Sequence, residues 1–488
     1  MEGENVYVKK VVIVGGGLGG LSAAVTLAQR GVDVQLFEKN NHFGGKLMPV
    51  QLGNYYFDFG PNTITMPFVF RHVIEQTGER TEDYLTFRKL RVHTKNVYED
   101  QTTFFLSSDR EYMKEQLAHI DPIGALRYDD FLREVERLYQ LAKTHFFPRI
   151  FHSFTDYISP SLAMALLKAR PFETLHHFFQ RYFTNEHVIQ AYDRYATYIG
   201  SSPYMSPATF AMIAYLEMVD GVYYVEGGNA RIAHTFAMLA RRAGATLHTN
   251  RAVKRVIVRN GAVKGVELED GEKVEADVVI MNADLLQAYR ELVDPHDRSY
   301  ERAEPSISAF VMLVGTKDTW NHLAHHNVFF SDNYKQEFEH IFSGKYSEHP
   351  TIYVCAPPFT KEGSSLFILV NAPPLTKDGR MQVDEQAYKQ LVYEKLRSYG
   401  LNIVPDVEQI ITPLHIAEQF GAYRGALYGM ASNRRRDTFL RPSNACRRIG
   451  GLYFVGGTTH PGGGSPMVVI SGQNVAHHLL GIKLSLPF

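Results

Sequence analysis

The chain has 488 residues, more than a single hydrophobic core usually serves, so two or three domains are expected. Hydrophobic residues make up 45% and charged residues 21%, an ordinary globular balance, and a formal net charge of −1 provides no basic field for nucleic acid. The only cysteines, Cys355 and Cys446, exclude a disulfide framework and suit a reducing cytosol.

The opening MEGENVYVKK leads straight into a strand without the apolar core of a signal peptide. No run of about 18 or more apolar residues occurs, so no spanning helix is expected. Lys10–Lys39 then reads KVVIVGGGLGGLSAAVTLAQRGVDVQLFEK. Val11–Val14 suits a buried parallel strand. Gly15, Gly17 and Gly20 satisfy G-x-G-x-x-G, the pattern that turns tightly, admits a pyrophosphate and packs helix on strand. Leu21–Arg30 is the expected helix, its N-terminus favouring negative charge, and Val34–Phe37 the next strand. Glu38 stands where a carboxylate meets the adenosine ribose hydroxyls. That disfavours a 2′-phosphate and leaves FAD or NAD.

The Gly44-Gly45-Lys46 turn provides amides and a cation near that site, a second place to hold phosphate, and Tyr55–Phe59 alternates as a strand. His93–Leu106 reads as extended chain and Arg110–Leu141 as charged helices. Phe146–Phe183 is aromatic and basic, which suits either a membrane interface or a helical subdomain folded on its own core. Tyr192–Pro207 reads as a helix entering a turn, with Tyr195, Tyr198 and Tyr204 either lining a substrate passage or packing a helix. Beyond the strand Gly221–Gly228 and the helix Ala230–Ala243, Ala252–Val258 and Val263–Glu269 pair across Asn260-Gly261. Ala276–Met281 returns to the first sheet, making the cofactor domain discontinuous. Between about 300 and 415, Ala309–Val314, Ile352–Ala356, Leu366–Val370 and a helix at Glu385–Tyr399 indicate a second domain. Leu452–Gly481 is a strand, a glycine-rich loop and a helix from about Val468.

The doublets His176-His177, His325-His326 and His477-His478 lack ligand spacing, so no metal is expected, and the absence of G-x-S-x-G gives a hydrolase no support.

With these motifs placed, the chain resembles the bacterial carotenoid desaturases and oxidases, the phytoene-desaturase family of FAD-dependent, amine-oxidase-like proteins. The likeness rests on VVIVGGGLGGLSAA with FEKNNHFGGK, on FDFGP at Phe57–Pro61, YIGSSP at Tyr198–Pro203, GVYYVEGG, and LYFVGGTTHPGGGSPMV near the end. It implies an α/β fold: a discontinuous Rossmann-like FAD-binding domain (1–85, 225–300, 415–488), a mixed-sheet substrate domain (86–110, 301–414), and a helical subdomain (111–224) that is a candidate membrane contact. FAD contacts implied are Gly15, Gly17, Leu18, Gly19, Gly20, Glu38, Lys39, Gly45, Lys46, Gly60, Pro61, Val253, Gly456, Gly457, Pro466 and Met467.

Within the family, GGGSPMV at Gly462–Val468 and SGQNVA at Ser471–Ala476 are similar to oxidases of terminal methyl groups on thirty-carbon diapocarotenoids. THP at Thr459–Pro461 and HNVFFSD at His326–Asp332 are at least as similar to desaturases. Hydride loss from an allylic carbon would leave a delocalised cation. Proton loss then gives desaturation, and water capture at an end methyl gives an alcohol and then an aldehyde. Tyr198, His326, Arg424 and His460 are the candidate proton-handling or charge-steadying side chains, each of which could equally serve packing. The resemblance further implies a linear carotenoid substrate, contact with the inner face of the cell membrane from the cytoplasm, and quinone or O2 as electron acceptor. A non-catalytic prenyl-binding chaperone on the same fold is the alternative of another class.

Overall fold

The computed structural model describes residues 9–151, 160–357 and 363–482. Its first layer is a five-stranded parallel sheet in the order Leu452–Phe454, Val278–Met281, Lys10–Val14, Asp33–Phe37, Thr246–His248. Alternation along Lys10–Val14 divides the core. Val11 and Ile13 face the helices Leu18–Ala28, Arg231–Arg242 and Ser465–Leu479, whereas Val12 and Val14 face a three-stranded layer beginning at Val253–Arg259. In that layer Asn260 and Gly261 both have positive φ (52° and 71°), the geometry a two-residue hairpin turn requires.

Helix Leu18–Ala28 starts three residues before the expected Leu21, so Gly19 and Gly20 lie within its first turn. All of its residues are buried, because helices pack on it from two sides. A Cβ on Gly20 would lie 2.5 Å from the Gly15 carbonyl oxygen, and one on Gly472 only 2.1 Å from that of Gly19. The third motif glycine therefore acts in packing, as does a fourth, far along the chain.

The second layer is a seven-stranded mixed sheet: Val407–Ile411, Ser308–Thr316, Ser364–Ala372, Ile352–Cys355, His326–Phe329, Val92–Val97, Thr103–Ser107. Only His326–Phe329 with Val92–Val97 runs parallel in it. Ser308–Thr316 is buried throughout, with Tyr55–Phe59 on one face and helix Glu385–Ser398 on the other.

The helices from Arg110–Ile120 to Glu186–Asp193 enclose an aromatic core of Tyr128, Phe131, Phe178, Phe179, Phe183 and Tyr192. Thus much of the aromatic segment Phe146–Phe183 is folded inward; residues 152–159 of it lie outside the described residues. Met164, Leu167 and Phe172 nonetheless remain exposed. Tyr192–Pro207 is helical up to a turn at Gly200, as expected, but its helix changes type. The α-helix ends at Asp193 and the chain tightens into a 3-10 segment, Arg194–Ile199, closed by Gly200 at φ 65°. Leu216–Asp220 is a π-helical segment. No described helix is long and apolar enough to cross a membrane.

Candidate active site

The three parts meet around one cavity of about 870 Å³. Its dinucleotide end is built by the first strand–helix turn. Gly15 adopts φ 100°, Gly16 N donates to Glu38 Oε2 at 2.7 Å, and Gly44 N donates to the Gly16 carbonyl at 2.8 Å, fastening the two glycine turns together. Glu38 Oε1 accepts from Asn40 N and Nδ2 at 2.8 and 2.9 Å. The carboxylate thus braces the loop, and Oε2, which accepts from Gly16 N alone, keeps a lone pair for a ribose hydroxyl.

Two helix N-termini open on this cavity, capped by Gly17 and Gly464, neither with a side-chain cap. Both present unsatisfied N–H groups and the positive end of a dipole, which suits the phosphate and the electron-rich ring system of a flavin dinucleotide. Gly15, Gly17, Leu18, Gly19, Glu38, Lys39, Gly45, Lys46, Gly60, Pro61, Val253, Gly456, Gly457, Pro466 and Met467 all line the cavity; Gly20 lies behind it. Lys46 has a structural role beside the one expected for it. It is half-buried and its Nζ donates to the carbonyls of Ala426 and Leu427 at 3.2 and 2.7 Å, so it ties a distant loop to the site, with one N–H to spare. Desolvation lowers its pKa, and the Asp284 carboxylate opposes that shift. Lys39 likewise donates to the Glu418 carbonyl at 3.0 Å.

Sequence reading missed two pieces. Asn282 follows the strand Val278–Met281; its Nδ2 donates to the Gly15 carbonyl at 3.0 Å and its side chain wedges against Gly17, Gly19, Gly20 and Gly456. Arg441 is buried in the cavity wall, donating to Ser432 Oγ at 2.9 Å, and burial lowers its pKa to about 10. A single asparagine or arginine carries no spacing signal, so only tertiary contact reveals either.

The rest of the wall comes from the mixed sheet and the helical subdomain and is mainly apolar: Phe147, Ile213, Leu216, Val311, Phe367 and Leu369 among others. The structure separates the four candidate proton-handling residues. Tyr198 and His460 line the cavity, whereas His326 and Arg424 do not. His326 sits behind the wall, its Nδ1 2.7 Å from the hydroxyl of the wall residue Tyr353, and burial pushes its pKa well below the usual range. Arg424 turns away to the Leu375 carbonyl. His460 Nε2 lies 2.7 Å from the Phe146 carbonyl, which can only accept; Nε2 therefore carries the hydrogen, and burial lowers the pKa to about 4. Of the tyrosines proposed for a passage, Tyr195 is buried in the helical core and Tyr204 packs against His176 and Phe338.

One grouping contradicts the spacing argument against clustered histidine. His325, His326 and Cys355 bring three donor atoms within 4.8 Å of one another, because adjacent strands place them side by side. Burial raises the Cys355 thiol pKa beyond its usual range, and Tyr353 already engages His326.

Residues 18–480 match the family model "Flavin containing amine oxidoreductase". The chain is 34% identical to the 1-hydroxycarotenoid 3,4-desaturase of a Flavobacterium sp., over 96% of this chain and 98% of that one. It is 33% identical to the zeta-carotene-forming phytoene desaturase of Myxococcus xanthus (98% and 96%) and 29% to the 4,4'-diaponeurosporene oxygenase of Staphylococcus haemolyticus (97% and 98%). A putrescine oxidase structure with bound putrescine shares the fold at a TM-score of 0.65 and 14% identity, covering 97% of this chain and 99% of that one. The braced glycine turns and the two open helix ends accord with these matches: the chain belongs to the flavin-containing amine oxidoreductase family, in its carotenoid desaturase and oxygenase branch, and is an FAD-dependent oxidoreductase.

Proposed function

We propose that the protein oxidises a linear carotenoid by removal of a hydride from an allylic carbon, most directly at a terminal methyl group of a thirty-carbon diapocarotenoid, which is carried to the aldehyde. The carrying observation is the continuity of one cavity from the dinucleotide turn to an apolar wall shared by sheet and helices. A polyene has no ionisable group to grip, so such a wall fixes which carbon stops at the reacting point by shape and by exclusion of water. FAD, when bound, supplies the two-electron acceptor. Gly15, Gly17 and Glu38 hold its adenosine and pyrophosphate end, while Gly456, Gly457 and the Ser465–Leu479 N-terminus stand at the other. Lys46 and Asn282 lock the loops that bring those ends together.

The oxidase reading rests on the GGGSPMV loop, which lines the cavity, and on the 29% identity to the diaponeurosporene oxygenase. Desaturation is the second reading, favoured by the 34% and 33% identities to the two desaturases. Co-expression with diapophytoene and then diapolycopene separates them. Aldehyde on the second substrate supports terminal oxidation; new double bonds on the first without oxygen overturn it.

Delivery of so apolar a substrate calls for a membrane. Met164, Leu167 and Phe172, exposed on and just beyond helix Pro160–Lys168, form the proposed contact with the membrane surface, and quinone or O2 is the proposed electron acceptor.

A further inference from the structure

Whichever carbon is oxidised, a proton must leave after the hydride. The cavity carboxylates Glu38, Glu269, Asp284 and Glu291 all belong to the dinucleotide elements, and the wall supplied by the mixed sheet and helical subdomain contains none among the described residues. Among the described residues, Glu217 and Glu337 are buried carboxylates directly behind that wall. Glu217 is 0% exposed and accepts a hydrogen bond from the Tyr198 hydroxyl at 2.7 Å; the same hydroxyl accepts from Arg194 Nη1 at 3.1 Å. Arg194 and Tyr198 both line the cavity.

We infer that Tyr198 is the group that takes the proton from the oxidised polyene and hands its own hydroxyl proton to Glu217, with Arg194 positioning the phenol. Two observations independent of the hydrogen bonds support it. The trio is assembled by two departures from regular helix, the 3-10 segment Arg194–Ile199 and the π-helical Leu216–Asp220, and π-helical turns concentrate at functional sites. Secondly, Arg194 and Glu217 form a buried ion pair at a long 3.8 Å (Nη2 to Oε2) in which Arg194 Nε and Nη2 and Glu217 Oε2 make no hydrogen bond, and such a pair adds little stability over apolar residues of the same volume. Burial raises the Glu217 pKa against the pull of Arg194 and Tyr198, which makes it a carboxylate able to receive a proton.

The wall provides two weaker rivals. Thr351 donates to Glu337 at 2.6 Å, but an alkyl alcohol ionises far less readily than a phenol. Tyr353 is backed by His326, whose lowered pKa makes it a poor base.

The inference rests on the proposed carotenoid oxidation, and its step balances for either product. In desaturation the C–H bond beside the cationic carbon breaks, its electron pair completes the new C=C bond, and the proton goes to Tyr198 Oη as the tyrosine proton moves to Glu217 Oε1. In methyl oxidation the C–O bond to water forms and the water proton follows the same path. The hydride electrons are accounted for by the FAD of the family reaction.

The test is anaerobic single turnover of the FAD-loaded enzyme with diapophytoene and with diapolycopene, product being read by pigment absorbance. Tyr198→Phe should slow product formation by about 100-fold, within the range of general acid–base catalysis, while polyene affinity and flavin content stay at wild-type values. Tyr204→Phe, a phenol outside the wall, should keep the wild-type rate. The wild-type rate should fall in acid as Glu217 protonates, and Glu217→Gln should lack that limb. The groups facing Glu217 are Arg194, Tyr192, Tyr195 and Tyr198 from one side and His93 from strand Val92–Val97; His93, with its pKa lowered to about 3, stays neutral through the range measured. An infrared difference band of a protonated carboxyl, formed on turnover and missing in Glu217→Gln, supports the relay without reference to rate. A Tyr198→Phe enzyme as fast as the wild type overturns the relay alone. A wild type that turns over neither polyene overturns the relay and the proposed function together. Should Glu217→Gln fail to retain flavin, Tyr198→Phe decides.

Discussion

Glu38 braces the glycine turn by accepting from Gly16 N and from the backbone and side-chain nitrogens of Asn40, so it shapes the place where the proposed function sets a ribose. Hydrogen bonds to a charged group contribute about 1.5–3 kcal/mol each. Glu38→Ala should therefore weaken FAD binding by about 10- to 100-fold, checked by fluorescence titration of the apoprotein with FAD. His460 makes a pH prediction. Burial lowers its pKa from 6.5 to about 4, so between those values the unfolded chain binds a proton that the folded one does not, and stability rises with pH. The contribution is complete above about pH 6.5 and lost as pH falls toward 4. His325 acts in the same sense, whereas Glu337, raised to about 7 by burial, opposes it by losing stability as pH rises from 4.5. His460→Gln keeps a donor for the Phe146 carbonyl and should reduce the drop in melting temperature between pH 6.5 and 4.5, read by calorimetry.

At the scale of elements, the crossing of Leu18–Ala28 with Ser465–Leu479 leaves little freedom. The Gly472 Cα faces the Gly19 carbonyl and Ser22 Oγ, leaving no room for a methyl group. Gly472→Ala should force the helices apart at a cost of about 3 kcal/mol, lowering the melting temperature and releasing flavin, because the displaced helix carries Pro466 and Met467 into the cavity wall. The first strand and the Asn260-Gly261 hairpin were legible because their patterns are local: a β-branched run, and two residues that tolerate positive φ. The tightening of Tyr192–Pro207 after Asp193 was not, since nothing in YDRYATYIG breaks an α-helix before Gly200; the 3-10 turn is imposed by the packing that buries Arg194 and Tyr195.

Across the whole molecule, three distant stretches contribute strands to one parallel sheet, and the cavity exists only where that sheet, the mixed sheet and the helical core converge. Outside the cavity, the exposed Met164, Leu167 and Phe172 lie on the subdomain that the proposed function sets against the membrane. Replacing all three by serine should lower co-sedimentation with phospholipid vesicles at least tenfold while leaving the melting temperature unchanged, since none is part of the core.

By itself the sequence determined the chain's family and the glycine turns that line one end of the cavity. Its G-x-G-x-x-G turn, Glu38 and C-terminal glycine loop are short-range patterns whose chemistry depends on residues close together in the chain. Only the tertiary structure decided that Lys46 binds carbonyls, that Asn282 wedges the glycines, that His326 and Arg424 stand outside the cavity, and that Tyr198 is backed by Glu217. Each of those outcomes turns on which buried groups meet across tens or hundreds of residues. The need to satisfy polar groups away from water settles that in the folded core, and it leaves no periodic trace along the chain.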